Sequence, residues 1–212
     1  MKVCEIFVSI QGESTFAGVP CTFVRLSGCN LRCSYCDTPY AYEEGAEMSV
    51  DSILHTVSEE GIRLVEITGG EPLLQHDEVS ELTKQLLASG YKVLIETNGS
   101  VSIGSLDSRV IVIMDVKTPS SNMSERNDFS NFAYLKPADE IKFVISDRND
   151  YEWSKKLVLE QGLSKRCTIL FSPAAGTIPP RELAALILQD RLEVRLNMQL
   201  HKIIYHPDER MV

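Results

Sequence analysis

A chain of 212 residues, 43% hydrophobic and with mean hydropathy of -0.07, has enough apolar content for a substantial core, and residues 1–212 are expected to form one domain. Its formal net charge of -9 and pI of about 5.0 argue against nonspecific attachment to nucleic acid or anionic membranes, leaving a small molecule or a protein as the expected partner. The opening MKVCEIFVSIQGE is broken by Glu5 and Gln11, which fits neither a secretion signal nor a membrane span, so a cytoplasmic location is expected.

Seven apolar, β-branched runs predict strands at 22–26, 63–68, 91–97, 110–116, 140–146, 168–172 and 193–198. Several are hydrophobic almost throughout, as strands covered on both faces are. Four helices are predicted between them. The first is opened by Ser49 and closed by Gly61, the second begins near Asp77 and closes at Gly90, and the third begins near Asn149 and closes at Gly162. The fourth starts at the prolines of PPRELAALILQD. Alternation of strand and helix predicts a parallel sheet with right-handed crossovers. A closed eight-fold barrel needs about 250 residues. The expected fold is therefore α/β, a partial, open TIM-like barrel of six or seven mostly parallel strands with outer helices, with a doubly wound sheet as the alternative. Residues 118–132, TPSSNMSERNDFSNF, show no period and are expected to be either a lid or a surface loop.

Loops leaving the C-terminal ends of parallel strands share one rim, where ligands bind. The unusual residues fall there. A cysteine loop follows the first predicted strand, TGGEP the second, ETNG the third and DVKTPSS the fourth, Ser172 and Pro173 end the sixth, and QLHK follows the last. Six cysteines in reducing surroundings point to metal or thiol chemistry rather than disulfides. Cys4, Cys21 and Cys167 stand apart and are expected to be small buried residues.

Cys29, Cys33 and Cys36 form C-x3-C-x2-C. Structural zinc is one reading, yet zinc sites take two close ligand pairs, and His55 and His76 fall in or beside predicted helices as surface or capping residues. Soft thiolates at this spacing suit iron and sulfide better, and a four-iron cluster on three cysteines leaves one iron open to another ligand. TGGEP is in one reading a tight strand-to-helix turn. In the other, its two glycines let backbone approach a ligand closely, with Glu71 available to a cationic group.

These cysteines, with Tyr35 before the last of them and Gly69, Gly70, Glu71 and Pro72 one strand later, resemble the radical S-adenosylmethionine (SAM) enzymes. The resemblance implies a [4Fe-4S] cluster whose fourth iron is chelated by SAM, with one-electron cleavage giving a 5'-deoxyadenosyl radical that abstracts a substrate hydrogen. It implies that Tyr35 lies near adenine and that Gly69, Gly70 and Glu71 meet the methionine amino group. Glu96, Asn98, Asp115, Val116, Lys117, Ser172, Pro173, Ala174 and Ala175 match positions around the ribose and carboxylate. From the residues alone, Glu96 and Asn98 are equally turn caps, and Lys117 is equally an exposed charge.

The segments EIFVSIQGES, FVRLSGCNLRCSYCDTPYA, ITGGEPLLQ, IETNGS, DVKTPSS and LHKII resemble the 7-carboxy-7-deazaguanine synthase family over nearly the whole chain. That implies a carbon-nitrogen lyase that contracts 6-carboxy-5,6,7,8-tetrahydropterin to 7-carboxy-7-deazaguanine with loss of ammonia, toward queuosine and other 7-deazapurines. SAM would be regenerated at each turnover, and Mg2+ would bind Thr38. The implied substrate contacts are Ile10, Gln11, Gly12, Glu13, Arg25 and Thr68, and the implied partners are an electron donor such as flavodoxin and a second copy in a homodimer. Local chemistry agrees: Gln11 offers an amide to a pterin edge, Glu13 accepts N–H groups, and Arg25 suits a carboxylate. A hydroxyl serves magnesium alongside waters and substrate oxygens, although Asp37 and Thr38 are equally a turn before Pro39. No residue stands out as the base for ammonia loss. Ser14 occupies a position where many relatives have glycine, and DERMV continues past Pro207, where some relatives end. An activase that places a glycyl radical on a partner protein and a zinc-binding interaction domain are the alternatives.

Overall fold

The computed structural model describes residues 1–206 and 209–211; Pro207, where some relatives end, lies outside the described residues. One sheet contains β1 (Lys2–Ile10), β2 (Pro20–Leu26), β3 (Ala46–Glu47), β4 (Leu64–Gly69), β5 (Lys92–Thr97), β6 (Ile111–Val116), β7 (Glu140–Ile145), β8 (Thr168–Pro173) and β9 (Arg195–Leu196). Their order is β3-β1-β2-β4-β5-β6-β7-β8-β9. From β2 to β9 every pairing is parallel, while β1 and β3 join antiparallel at one edge. Parallel neighbours that follow chain order are wound in a single direction. A doubly wound sheet reverses its order partway, so the open, partial barrel is the architecture.

Two strands escaped the sequence. β3 is only two residues long, and β1, KVCEIFVSI, mixes Lys2 and Glu5 into its apolar run, with a register shift between Val3 and Glu5. The strand expected at 193–198 shrinks to Arg195–Leu196, an exposed edge.

The helices α1 (Val50–Glu60), α2 (His76–Ala88), α3 (Arg148–Gln161) and α4 (Pro180–Asp190) lie close to their expected places. Ser49 Oγ accepts from Ser52 N at 3.1 Å to start α1, Asp147 Oδ1 accepts from Asp150 N at 2.9 Å to start α3, and Gly61 and Gly162 end these two helices at φ 69 and φ 60. A short α5 (His201–Ile204) follows β9. Ile53, Val57, Val79, Leu82, Leu86 and Leu183 on the helices join Val65, Ile67, Val93, Ile95, Val112 and Phe143 of the strands in one outer core. Each such side chain, fully buried, contributes roughly 1.5–3 kcal/mol.

Side chains alternate across a strand. The residues between those outer positions, Cys21, Phe23, Leu64, Leu94 and Ile113, therefore face the barrel interior, where they pack with Phe7 as a separate apolar floor. Above it the same alternation turns Arg25, Thr68, Glu96, Asp115 and Lys142 inward.

The segment expected to be a lid or loop is three 3-10 turns, Pro119–Ser121, Ser124–Arg126 and Phe129–Tyr134. Buried Asn131 accepts from Ile103 N at 3.0 Å and donates to Gly99 O and Val101 O at 3.1 and 2.9 Å. Ser34 of the cysteine loop donates from N to Ser121 O and from Oγ to Ser120 O, at 3.1 and 2.6 Å. The segment is a brace between the cysteine and ETNG loops.

Candidate active site

A cavity of about 690 Å³ opens on the C-terminal rim of the strands. It is lined by Ile10, Gln11, Gly12 and Glu13 after β1, by Arg25 of β2, by all three motif cysteines with Tyr35 and Thr38, and by Thr68, Gly69 and Gly70 at the end of β4. Glu96 joins from β5 and Asn98 from the loop after it, Asp115 from β6 and Lys117 just past its end, and Ala174 and Ala175 from the loop after β8. Four residues expected at the site do not reach this wall. Val116, Ser172 and Pro173 are buried, and Ser172 Oγ accepts from Asn197 Nδ2 at 2.9 Å. Glu71 is fully buried, and its carboxylate accepts from Leu73 N, Thr97 Oγ1 and Asn98 N at 3.0, 2.8 and 2.7 Å. The free carboxylate expected there is instead a bridge between the TGGEP and ETNG loops, because its oxygens are spent on them.

Cys29, Cys33 and Cys36 are free thiols, half-buried on one side of the cavity. Cys29 Sγ accepts from Leu31 N at 3.4 Å and from Asn98 Nδ2 at 3.9 Å. Burial pushes the Cys29 and Cys33 thiols up, and the Lys117 ammonium acts the other way. A Cβ on Gly70 would overlap the Gly28 carbonyl and touch Cys29 Cβ, and one on Gly69, at φ 137, would strike Leu26. The double glycine thus lies flush beneath the cysteine loop, with Glu71 N donating to Gly28 O at 2.8 Å. Three unpaired thiols facing one cavity, with N–H donors at sulfur, fit an iron–sulfur cluster held from one side. His55 pairs with Glu59 on α1, and His76 Nε2 shares a hydrogen bond with Ser105 Oγ, so neither supplies the second ligand pair that zinc would need.

The rest of the cavity lining is largely polar. Lys142 Nζ donates to Glu13 Oε2 at 2.9 Å and to Glu96 Oε1, and lies 3.6 Å from Asp115 Oδ2. Burial opposes its charge, but Glu13, Glu96 and Asp115 outweigh burial and hold the ammonium protonated well above the usual lysine range. Glu13 Oε1 also accepts from Gln199 Nε2 at 2.8 Å. Lys117 is not an exposed charge: its side chain is 13% exposed and pairs with Asp115 Oδ2 at 3.0 Å. Asp115 Oδ1 is buried with no hydrogen-bond partner among the described residues, an acceptor left to a ligand. Arg25 donates through Nε to Glu5 Oε1 at 2.7 Å, and Tyr40 donates to the same oxygen at 3.0 Å. Thr38 Oγ1 donates to Asp37 Oδ1 at 3.0 Å, and Asp37 Oδ2 pairs with Lys202 Nζ at 2.8 Å. Tyr35 is hydrogen-bonded to Thr118 Oγ1 at 3.4 Å, and burial pushes its hydroxyl up to about 12.

Sequence reasoning missed Glu66 and Lys142 and marked Gln199, His201 and Lys202 only through the QLHK segment; all five line the cavity. The signal for two of them was present: Glu66 and Lys142 are charges inside otherwise buried strands, VEITG and EIKFVI. Glu66 sits in register between Phe23 and Leu94 of the apolar floor. Burial, then the charge of Glu96, pushes its carboxyl up to about 8, while Gln11 Nε2 donates to Glu66 Oε2 at 2.6 Å. His201, marked in the sequence only by its place in QLHK, explains a glycine, since a Cβ on Gly12 would overlap the His201 ring and Leu200 N donates to Gly12 O at 2.8 Å. Ser14 stands at φ 61, the left-handed region that glycine fills without strain, and its Oγ accepts from Phe16 N at 3.1 Å.

A model of the radical SAM superfamily matches residues 23–121. The chain is 45% identical to the 7-carboxy-7-deazaguanine synthase of Koribacter versatilis over the full length of both. It is 46% identical to that of Chlorobaculum tepidum, covering 100% of this chain and 97% of the relative, and 42% identical to that of Methanospirillum hungatei, covering 98% and 86%. Among solved structures, QueE from Escherichia coli superposes with a TM-score of 0.80 at 25% identity, covering 94% of each chain.

Proposed function

The chain belongs to the 7-carboxy-7-deazaguanine synthase family of radical SAM enzymes, and from that premise we propose how its own residues serve the reaction. The activity is that of a 7-carboxy-7-deazaguanine synthase, a lyase-type step of queuosine biosynthesis acting on a small molecule, with a [4Fe-4S] cluster and SAM as cofactors. Family membership replaces the glycyl-radical activase and the zinc-binding domain as readings.

When bound, the cluster and SAM supply one-electron hydrogen abstraction, here at C6 of 6-carboxy-5,6,7,8-tetrahydropterin, and the ring then contracts with loss of ammonia. Cys29, Cys33 and Cys36 would hold the cluster as thiolates. The Gly69 and Gly70 backbone, with Tyr35, Asn98, Asp115, Lys117, Ala174 and Ala175, receives SAM. Gln11 and Glu13 take the polar edge of the pterin beside Ile10, Gly12 and Thr68. Arg25, anchored through Nε by Glu5, keeps its terminal nitrogens for the substrate carboxylate. Thr38, whose hydroxyl donates to Asp37, would hold Mg2+, a cation that takes oxygen ligands. The apolar floor and the brace at 118–132 exclude water from beneath and beside the reacting atoms. One domain over 1–212, a homodimer, a flavodoxin-type electron donor and a cytoplasmic setting complete the proposal. Among the described residues no helix is long and apolar enough to cross a membrane.

The observation that carries this reading is one cavity lined both by three free thiols and by an inward-facing row of Arg25, Thr68, Glu96, Asp115 and Lys142. Anaerobically prepared protein given SAM, a reductant, Mg2+ and the carboxypterin should form 7-carboxy-7-deazaguanine and ammonia. Cleavage of SAM with no deazapurine formed would reject the reading.

A further inference from the structure

Among the described residues of the cavity wall, Lys142 is the cation that reaches carboxylates from three separate segments. Its side chain is 5% exposed. It bonds Glu13 from the loop after β1 and Glu96 from the end of β5, and it lies 3.6 Å from Asp115, its cross-strand neighbour on β6. An ammonium is a point charge with three donors directed differently, so one lysine serves three carboxylates. Remove the charge and three carboxylates face one buried point, where repulsion and burial together drive them apart or protonate them.

On the roles proposed above, which this inference rests on, Glu13 belongs to the substrate side and Asp115 to the SAM side, where the family resemblance also puts Glu96. We infer that Lys142 is a positioning residue whose ammonium locks Glu13 to Glu96 and Asp115, and so fixes the distance between pterin and SAM across which hydrogen moves. Two further features agree. Gln199 holds the second oxygen of Glu13, and Lys117 holds the oxygen of Asp115 that faces Lys142, leaving Asp115 Oδ1 as a fixed acceptor. Both carboxylates therefore have two partners each, with Lys142 common to them.

The test compares full-length, cluster-loaded wild type with K142Q and K142R. It measures deazapurine formed, 5'-deoxyadenosine accumulated per product, thermal midpoint, and pterin binding to protein lacking cluster and SAM. Misplacing reacting atoms by about 1 Å costs about 100-fold in rate, so K142Q should lose roughly that in kcat while 5'-deoxyadenosine per product rises, iron content is unchanged and pterin binding weakens. K142R, whose planar fork cannot place one donor on each carboxylate, should show a ratio between the two. A folded K142Q with wild-type rate and ratio overturns the inference. Should K142Q not fold, K142R decides: a raised ratio supports the role, and a wild-type ratio overturns it. Product from wild type with no change in the variants sinks this inference alone, whereas no product from wild type sinks the proposed function and this inference with it.

Discussion

The floor of the barrel and the layer above it are built on the same strands, yet they hold opposite chemistry. Phe23 and Arg25 are two residues apart on β2, Leu94 and Glu96 on β5, and Ile113 and Asp115 on β6, each pair facing inward. In the lower layer, side chains fill space and gain from leaving water. In the upper layer they are charged, partly desolvated and held by one another. A single alternating strand thus gives both a seal and a site, two residues or about 7 Å apart along the chain. Glu66 breaks the rule. It lies at floor level between Phe23 and Leu94, and its carboxyl is pushed up to about 8.

This contrast predicts where substitutions act on activity and where they act on stability. Cys33→Ala, in the cysteine loop above the floor, should abolish the brown colour, the iron content and all product formation while leaving a folded chain, as seen by circular dichroism. Phe23→Ala, in the floor, should do the reverse, costing about 3–5 kcal/mol of stability in urea titration, with cluster binding retained in whatever fraction folds. Gly70→Ala sits between these regimes. Its Cβ must displace the Gly28 carbonyl, which should cost about 1–3 kcal/mol and lower the iron content by moving the Cys29 loop.

Glu66 sharpens the contrast through pH. Its folded-state carboxyl is raised from 4.5 to about 8, so between those values the folded chain holds a proton that the unfolded chain has released. Its contribution to stability is present below about pH 4.5 and declines as the pH rises toward 8. Glu66→Gln should flatten the fall in melting temperature over that window and leave the acid side unchanged. Equal slopes in wild type and variant would show that the carboxyl is not held neutral by the floor. The smallest effect is expected at Ser14→Gly. Relief of a left-handed serine, about 1–2 kcal/mol, is offset by the flexibility of glycine and by loss of the Phe16 N to Ser14 Oγ bond. Stability should change by less than about 1 kcal/mol, with turnover unaltered.

Much of the fold was legible because helix caps and buried parallel strands leave local marks: Ser49 and Gly61, Gly162, and the runs at β4 to β8. The edges were less so: β1 carries charges, β3 at two residues is too short for any period, and β9 was expected over 193–198 but spans only two residues. Rim residues were legible where a motif marks them, as with the cysteines, TGGEP and IQGE. Burial was not. Glu71 reads as an acid available to a cationic group, and only the three-dimensional approach of Leu73, Thr97 and Asn98 shows its carboxylate spent on backbone and hydroxyl donors. Lys142 was missed because its meaning comes from carboxylates 129, 46 and 27 positions away, a convergence that no window on the sequence contains.

The most direct test of the central claim is an oxygen-free crystal structure with cluster, SAM and carboxypterin bound. The account predicts SAM lying against Gly69, Gly70 and Asp115, the pterin edge on Gln11 and Glu13, and its carboxylate on Arg25, all within the cavity above the floor. A pterin bound away from the Arg25, Glu96 and Lys142 row, or SAM docked apart from Cys29, Cys33 and Cys36, would contradict it.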